Sequence, residues 1–353
     1  MKERHLSGTE TQLNKLTVLG DPLVKINAVI NWEMFRDPIE KAIRKDMSRG
    51  GRPPFDAVMM YKITMLQQWY GLSDAGIEYQ INDRVSFCRF LGLEFGDKVP
   101  GGNTVWDFKE ALKKADVDQQ LFDLFNEKLK GEGIITRKGS IIDATFVTVP
   151  IRHTTKGDNG RLKEGKGAGG LTDFQKKCAE RKEKGEIADK ENVEAQMDFD
   201  ARWAKKGNEC FFGYKDHVKC DAESKVITGF IVTDASVHDS QEFVGLVGEE
   251  DNDIKVDSGY AGGKFLDEIG ELYPHINVDV CARAYRNKPL ADEDKAKNRE
   301  IARTRARIEH IFGYMTRFMA GITSRVHGFE RVRRDVAAKN LAYNLKRYVF
   351  ILG

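Results

Sequence analysis

The periodicity of hydrophobic residues changes near residue 136. Before this point apolar residues recur every three to four positions, which predicts amphipathic helices at 32–46, 56–70, 74–82, 104–114 and 117–130. The segment from Asp56 to Tyr70 is rich in helix formers, follows Pro53-Pro54 and ends at Gly71. We therefore expect an all-helical N-terminal domain over residues 1–135, with a role in binding DNA or in dimerisation.

From residue 136 onward, β-branched and apolar runs alternate with helical patterns. This composition predicts strands at 139–149, 211–220, 225–233, 253–257 and 275–281. Helices are predicted from Val237 through Leu246, and at 263–272, 292–318 and 329–352. Residues 151–210 lose the periodicity and are rich in Lys, Glu and Gly, which predicts a flexible basic insertion. The second domain is expected to be α/β (α+β) and to cover residues 136–353.

Charge and cysteine content narrow the class of protein. The 353 residues include 57 Lys and Arg against 55 Asp and Glu, but the basic residues gather at 151–189 and 299–347. A balanced total therefore does not exclude a polyanionic partner. The five cysteines are scattered without a CxxC pair, which favours a reducing cytosol. The polar N-terminus and the lack of a long apolar run predict no signal peptide and no membrane partner.

Two aspartates occupy unusual places in the predicted strands. Asp143 lies in the middle of an apolar run, and burying an unpaired carboxylate costs several kcal/mol, so a cation is the usual partner. Asp257 ends a short strand just before a glycine-rich turn, where open α/β sheets place ligands. The alternatives are a hydrogen-bonded structural role for Asp143 and a turn-forming role for Asp257. His217, His238 and Asp239 match no zinc pattern, so we expect them to cap and pack.

The helix predicted at 292–318 has two distinct faces. An apolar stripe runs through Ile301, Ile308, Ile311, Met315 and Met319, and a polar face carries Arg303, Arg307, His310, Tyr314 and Arg317. Glu309 lies between the faces, with Arg305 one turn before it. This arrangement suits a metal-bound carboxylate facing a polyanion. The alternative is a solvated helix with an Arg–Glu pair, since surface ion pairs are common.

The order of these elements resembles the ribonuclease H-like core of DDE transposases. The local motifs are similar to insertion-sequence transposases of the IS-five type, within the IS-four-like superfamily. The motifs are Ile141–Thr145, Gly213–Lys215 with His217, Val237–Ser240, Asp257–Tyr260 and Arg305-x-x-x-Glu309-His310-x-Phe312-Gly313. In the N-terminal domain, Gly51–Pro54, Tyr70–Asp74 and Phe90–Leu93 also resemble that family.

The resemblance implies a fold and a catalytic site. It implies a mixed five-stranded sheet flanked by helices, with the first and fourth strands side by side. Asp143, Asp257 and Glu309 match the catalytic, metal-binding acids, which implies two Mg²⁺ ions per active site, with Mn²⁺ as a substitute. Arg305 matches a signature arginine and is expected to contact a phosphate near the scissile bond. The same signature has a tyrosine and a lysine where this chain has Ala302 and Thr316.

The implied function is that of a DNA transposase. It would bind the terminal inverted repeats of an insertion sequence, hydrolyse phosphodiester bonds there, and join the freed 3′-hydroxyl ends to target DNA. The DNA-binding residues expected on the helix are Arg303, Arg305, Arg307, His310 and Arg317. We expect a homodimer or larger synaptic complex in the bacterial cytoplasm, associated with the nucleoid, without a nucleotide cofactor.

Two other functions fit the same sequence. One is a transposase-derived DNA-binding protein that does not cleave, and the other is a related metal-dependent nuclease that cuts without joining.

Overall fold

The chain forms two compact units in the computed structural model, which describes residues 3–44, 53–94, 96–149, 153, 198, 200–261, 264–284 and 289–353. The first unit comprises Met1–Ile135, Tyr314–Gly321 and Ala337–Gly353. The second comprises Thr136–Gly313 and Ile322–Val336. Gly51, Arg52 and most of the insertion predicted at 151–210 lie outside the described residues.

The first unit is helical, as predicted. Its helices up to residue 131 are α1 Glu3–Val18, α2 Pro22–Val29, α3 Arg36–Ile43, α4 Ala57–Tyr70, α5 Asp74–Asp83, α6 Val85–Leu91, α7 Gly102–Lys114 and α8 Val117–Gly131. The sequence analysis did not predict α1, α2 or α6. Two of these helices have eight residues or fewer, too short for a periodic pattern to be recognised.

Helix α4 forms the centre of the first unit. All of its residues except Lys62 and Tyr70 are buried. The side chain of Asp56 caps its start by accepting a hydrogen bond from the Met59 amide at 2.8 Å. Gly71 ends the helix in the left-handed conformation, as the sequence predicted. The apolar composition of α4 is thus explained by its burial on nearly every side.

The second unit is built on a mixed sheet. Its strands are β1 Ser140–Thr148, β2 Arg202–Lys206, β3 Glu209–Asp221, β4 Ile227–Asp234, β5 Asp253–Val256 and β6 Asn277–Val280. The order is β2-β3-β1-β5-β6, with β4 also paired to β3. Strands β1, β5 and β6 are parallel, and β3 runs antiparallel to β1, β2 and β4. The predicted pairing of the first and fourth strands is confirmed as β1 with β5.

Six strands appear in the described part of the chain, one more than the five predicted. The additional strand, β2, falls inside the stretch assigned to the insertion. Its sequence, Arg-Trp-Ala-Lys-Lys, carries three cations in five residues, so it shows no apolar run. The composition of β2 therefore does not indicate a strand, and the segment is extended because it pairs with β3.

Helices cover the sheet. They are α9 Phe243–Leu246, α10 Lys264–Leu272, and the parts of α11 Asp292–Phe318 and α12 Phe329–Ile351 that belong to the second unit, up to Gly313 and Val336. The remaining residues of α11 and α12 belong to the first unit. The helix predicted from Val237 is instead a 3₁₀ turn at Asp239–Gln241 followed by α9. The sheet and its flanking helices confirm the predicted ribonuclease H-like architecture.

Side chains of β1 and β5 alternate between two faces of the sheet. Ile142, Ile254 and Val256 enter a core that also contains Phe243 and Tyr260. Asp143 and Asp257 fall on the alternate positions and therefore face the other side. Arg305 of α11 contacts Asp143 there.

Gly213 allows β3 to lie close to β1. Its φ is +148°, and a Cβ at this position would stand 2.2 Å from the Val147 carbonyl oxygen. A side chain cannot be accommodated at that distance, so the glycine of the Gly213–Lys215 motif is a steric requirement.

Candidate active site

Asp143 and Asp257 lie beside each other on neighbouring parallel strands. Ser140 pairs with Ile254 and Ile141 with Lys255, so the same register continued brings Asp143 opposite Asp257. The two carboxylates also interact electrostatically, because the Asp257 charge raises the pKa of Asp143. These residues, called the acid pair below, come from segments more than 100 positions apart in the chain.

Asp143 is held by two donors. Its Oδ1 accepts from the Ala144 amide at 2.8 Å, and its Oδ2 accepts from Nη2 of Arg305 at 3.0 Å. Its side chain is 16% exposed. Burial raises the pKa of the Asp143 carboxyl, the Arg305 charge opposes that rise, and Asp257 adds to it. The surroundings therefore disfavour the charged form despite the arginine.

Asp257 begins a 3₁₀ turn at Ser258–Tyr260. Its Oδ1 accepts from the Gly259 amide at 2.7 Å. A Cβ on Gly259 would stand 2.9 Å from that oxygen, so glycine permits the turn to close on the carboxylate. The turn fixes Asp257 at the carboxyl end of β5, where the sequence analysis placed it. Its turn-forming role and a ligand role are thus compatible.

Arg305 lies across this edge of the sheet. Its side chain is 14% exposed, and its Nε is buried without a hydrogen-bond partner in the described part of the chain. The pair with Asp143 replaces the predicted alternative of a pair with Glu309. Arg305 also interacts with the Cys281 thiol, whose pKa burial raises and Arg305 lowers.

Sequence reasoning missed Cys281 as a neighbour of the site. Val256 pairs with Val280 in the parallel β5–β6 ladder, so the next residues, Asp257 and Cys281, are neighbours as well. The sequence position of Cys281 could have indicated this, because Asp257 and Cys281 each stand at the end of a predicted strand. Lys206 of β2 was missed for a different reason, since it falls inside the predicted insertion, yet its charge lowers the pKa of Asp143.

Glu309 lies one turn after Arg305 on α11 and is exposed. Within the described residues, no group of three or more His, Cys, Asp or Glu side chains is arranged to hold a metal ion. The structure thus brings Asp143 and Asp257 together with Arg305, and it does not bring Glu309 into one metal-binding cluster with them.

Comparison with known families identifies the chain. Residues 135–345 match the family model described as Transposase DDE domain, and residues 11–111 match the model described as Transposase domain (DUF772). The chain belongs to the DDE transposases. It is therefore an enzyme that cleaves DNA and transfers strands with the help of a divalent metal. No solved structure matches it.

The acid pair of this transposase fits a divalent cation. It offers carboxylate oxygens, the hard ligands that Mg²⁺ and Mn²⁺ prefer. Only three hydrogen-bond donors within the described residues reach the two carboxylates: the Ala144 amide, Arg305 and the Gly259 amide. Arg305 shows that a positive charge is already accommodated beside Asp143. The chemistry of the acid pair is therefore compatible with a bound divalent metal.

The DNA-binding candidates on α11 have different surroundings. Arg303 and Arg317 are exposed. Arg307 is half-buried and donates a hydrogen bond to the Ala222 carbonyl, which ties the helix to the turn after β3. Nδ1 of His310 lies 3.1 Å from Nζ of Lys225. Of the candidates in the second unit, Arg303 is therefore the most accessible to a DNA phosphate.

The histidine and aspartate motifs have structural contacts, as predicted. His238 caps the 3₁₀ turn by accepting from the Ser240 amide at 3.3 Å, and Asp239 pairs with Lys215 at 2.7 Å. His217 is fully buried, with its Nε2 2.8 Å from the Thr233 hydroxyl. Burial lowers the pKa of His217 to about 4.

The described helices include none that is long and apolar enough to cross a bilayer.

Proposed function

We propose that Asp143, Asp257 and Glu309 are the metal-binding catalytic acids with which this transposase cleaves the ends of an insertion sequence and joins them to target DNA. One observation carries the proposal. Two carboxylates meet on neighbouring parallel strands, on the face of the sheet where a cationic helix residue, Arg305, reaches Asp143. This arrangement suits a bound metal cation that neutralises the two carboxylates and faces the phosphates of DNA.

The acid pair would hold the metal, and Glu309 would complete the set. We propose two Mg²⁺ ions, replaceable by Mn²⁺, because carboxylate oxygens with few protein donors leave room for hydrated hard cations. When bound, such ions activate an attacking oxygen and stabilise a leaving one in an in-line displacement. The burial of Asp143 supports this role, because low exposure limits competition from bulk water.

The reaction needs two displacements at phosphorus. In the first, water attacks the phosphodiester at the element end, the bond from phosphorus to the 3′-oxygen breaks, and a 3′-hydroxyl and a 5′-phosphate result. In the second, that 3′-hydroxyl attacks a target phosphodiester and displaces another 3′-oxygen. The first step hydrolyses a phosphodiester bond, and the second exchanges one phosphodiester bond for another. Neither step requires a nucleotide cofactor.

DNA would be held by residues of both units. Arg303, His310 and Arg317 are exposed cationic or neutral donors on α11, and Arg305 would meet a phosphate near the scissile bond. The match of residues 11–111 to a transposase domain supports a role of the first unit in binding the terminal inverted repeats. Because two ends must be held at once, we propose a homodimer or larger synaptic complex acting on the bacterial nucleoid.

The test is cleavage of a labelled duplex that carries the element's own ends, in Mg²⁺. We expect Glu309→Gln to abolish 3′-end nicking while retaining DNA binding, and Asp143→Asn to do the same. Glu300→Gln is the matched control, because Glu300 is an exposed acid on the same helix. Cleavage by Glu309→Gln at the wild-type rate would remove Glu309 from the chemistry.

The same assay separates the alternatives. Nicking without strand-transfer products would indicate a nuclease that does not join. Tight and specific binding without nicking by the wild type would indicate a DNA-binding protein derived from a transposase.

A further inference from the structure

The positive charge beside Asp143 comes from a side chain of the protein, Arg305. Nη2 of Arg305 lies 3.0 Å from Oδ2 of Asp143, and both side chains are largely buried. The other oxygen of Asp143 accepts from its neighbouring amide. The ion pair therefore covers the carboxylate oxygen that has no backbone donor, which is the oxygen most available to a metal.

The pair is incomplete on the arginine side. Nε of Arg305 is buried and has no hydrogen-bond partner within the described residues. Arg89 in the first unit makes more hydrogen bonds, since its two terminal nitrogens donate to the Leu13 carbonyl, the Thr17 hydroxyl and the Asp21 carboxylate. Arg305 is held by its hydrogen bond to Asp143 and its interaction with the Cys281 thiol, while its Nε stays unused.

A divalent cation at Asp143 would meet the positive charge that Arg305 already places there. Asp143 interacts with one carboxylate neighbour, Asp257, and with two cationic ones, Arg305 and Lys206. Two positive charges therefore already act on the Asp143 carboxylate. A divalent ion brought to Asp143 would be repelled by the guanidinium, and it would compete for the same oxygen.

We propose that Arg305 is a resident counter-ion of Asp143, and that a divalent cation displaces it when the metal site is filled. This inference rests on the proposed function, because it takes Asp143 to be a metal ligand. Arg305 acts here as a positioning residue: it stabilises the buried carboxylate before metal arrives and lowers the affinity of the empty site for metal. Once displaced, its guanidinium is available to a DNA phosphate.

The test is a titration of the full chain with Mn²⁺ alone, without DNA, in which free Mn²⁺ is counted by electron paramagnetic resonance. We expect Arg305→Gln to bind Mn²⁺ about tenfold more tightly than the wild type, because it removes a unit charge next to the site. Arg303→Gln is the matched control, since Arg303 is exposed on the same helix and the variant changes the net charge equally. Its affinity is expected to equal that of the wild type. Asp143→Asn is expected to lose the site.

The outcomes separate this inference from the proposed function. If Arg305→Gln binds Mn²⁺ no more tightly than Arg303→Gln, while Asp143→Asn loses binding, the counter-ion role is wrong and the metal site stands. If Asp143→Asn keeps the wild-type affinity, Asp143 is not a metal ligand, and both proposals fail.

A second measurement, of thermal unfolding, applies if Arg305→Gln folds poorly without metal. We expect Mn²⁺ to raise its Tm more than that of the wild type, because the ion replaces the missing charge. A variant that stays unfolded in saturating Mn²⁺ would show that a metal cannot take the place of Arg305, and would overturn the inference.

Discussion

The sheet of the second unit holds its aspartates in two different ways. At the end where β1 begins, Asp221 accepts six hydrogen bonds from described residues, donated by the amides of Thr136, Arg137, Glu223 and Ser224 and the hydroxyls of Thr136 and Ser224. Asp251, nearby, accepts from Ser140, Lys219 and Gly248. Further along β1, Asp143 accepts two hydrogen bonds, and Asp257, directly after β5, accepts one.

This difference teaches how a structural acid is distinguished from a candidate catalytic one. Burial alone does not separate them sharply, because Asp221 is 1% exposed and the side chain of Asp143 is 16% exposed. The number of donors does, since a carboxylate surrounded by backbone amides has no free lone pairs for a metal. We therefore expect the saturated acids to matter for stability and the unsaturated ones for chemistry.

The largest expected effect is on stability, at Asp221. Asp221→Ala should lower the free energy of unfolding by about 4 kcal/mol, because several buried amides lose their acceptor. Urea unfolding followed by circular dichroism measures the change, and hydrogen exchange of the β1 amides locates it. Asp221→Asn, which keeps one carbonyl oxygen, should cost less. A loss below about 1 kcal/mol in Asp221→Ala would break the comparison.

A second effect tests a buried group next to the site, His217, which pairs with Ala144 across the β1–β3 ladder. Its pKa in the folded chain is about 4, below the ordinary value of 6.5, so the unfolded chain binds more protons between these pH values. Its contribution to stability is complete above pH 6.5 and is lost as the pH falls toward 4, by up to about 3 kcal/mol.

Urea unfolding between pH 4.5 and 7.5 measures this dependence. His217→Gln is the control, and the difference between the two curves isolates the histidine from the carboxylates. Parallel curves for the two proteins would show that His217 is not held neutral.

A smaller effect on stability is expected at the site itself. Because burial raises the pKa of Asp143, the fold disfavours its charge at neutral pH. Asp143→Asn should therefore leave the free energy of unfolding within about 1 kcal/mol of the wild type, although cleavage is lost. Thermal unfolding of this variant beside Asp221→Ala sharpens the comparison directly. A loss above about 3 kcal/mol would make Asp143 a structural acid like Asp221.

The smallest effect is expected at Tyr260. Its hydroxyl is buried and has no hydrogen-bond partner within the described residues, and the residue is 1% exposed. Tyr260→Phe should keep the stability or raise it by about 1 kcal/mol, because it removes an unsatisfied polar atom. Thermal unfolding at neutral pH checks this, with Tyr214→Phe as the contrasting variant. The Tyr214 hydroxyl donates to Asp198 at 2.7 Å, so its removal should destabilise.

Much of the fold was accessible from the sequence because local periodicity reflects local structure. The helix predicted at 292–318 has those limits in the structure, and β1 lies within the predicted strand. The failures have local reasons too. β2 has a polar composition, and α6 has seven residues. The assignment of roles to Asp143, Asp257 and Glu309 stays a prediction that the cleavage assay tests.

The sequence by itself determined where the elements lie, which acids occupy unusual positions, and which family the motifs resemble. The tertiary structure alone decided which distant groups meet: Asp143 with Asp257 across the β1–β5 ladder, and Arg305 with Asp143 rather than with Glu309. The physical reason is that hydrogen-bond and charge partners depend on the register between segments far apart in the chain. Periodicity reports which face a residue occupies, and only the packed fold reports what stands opposite it.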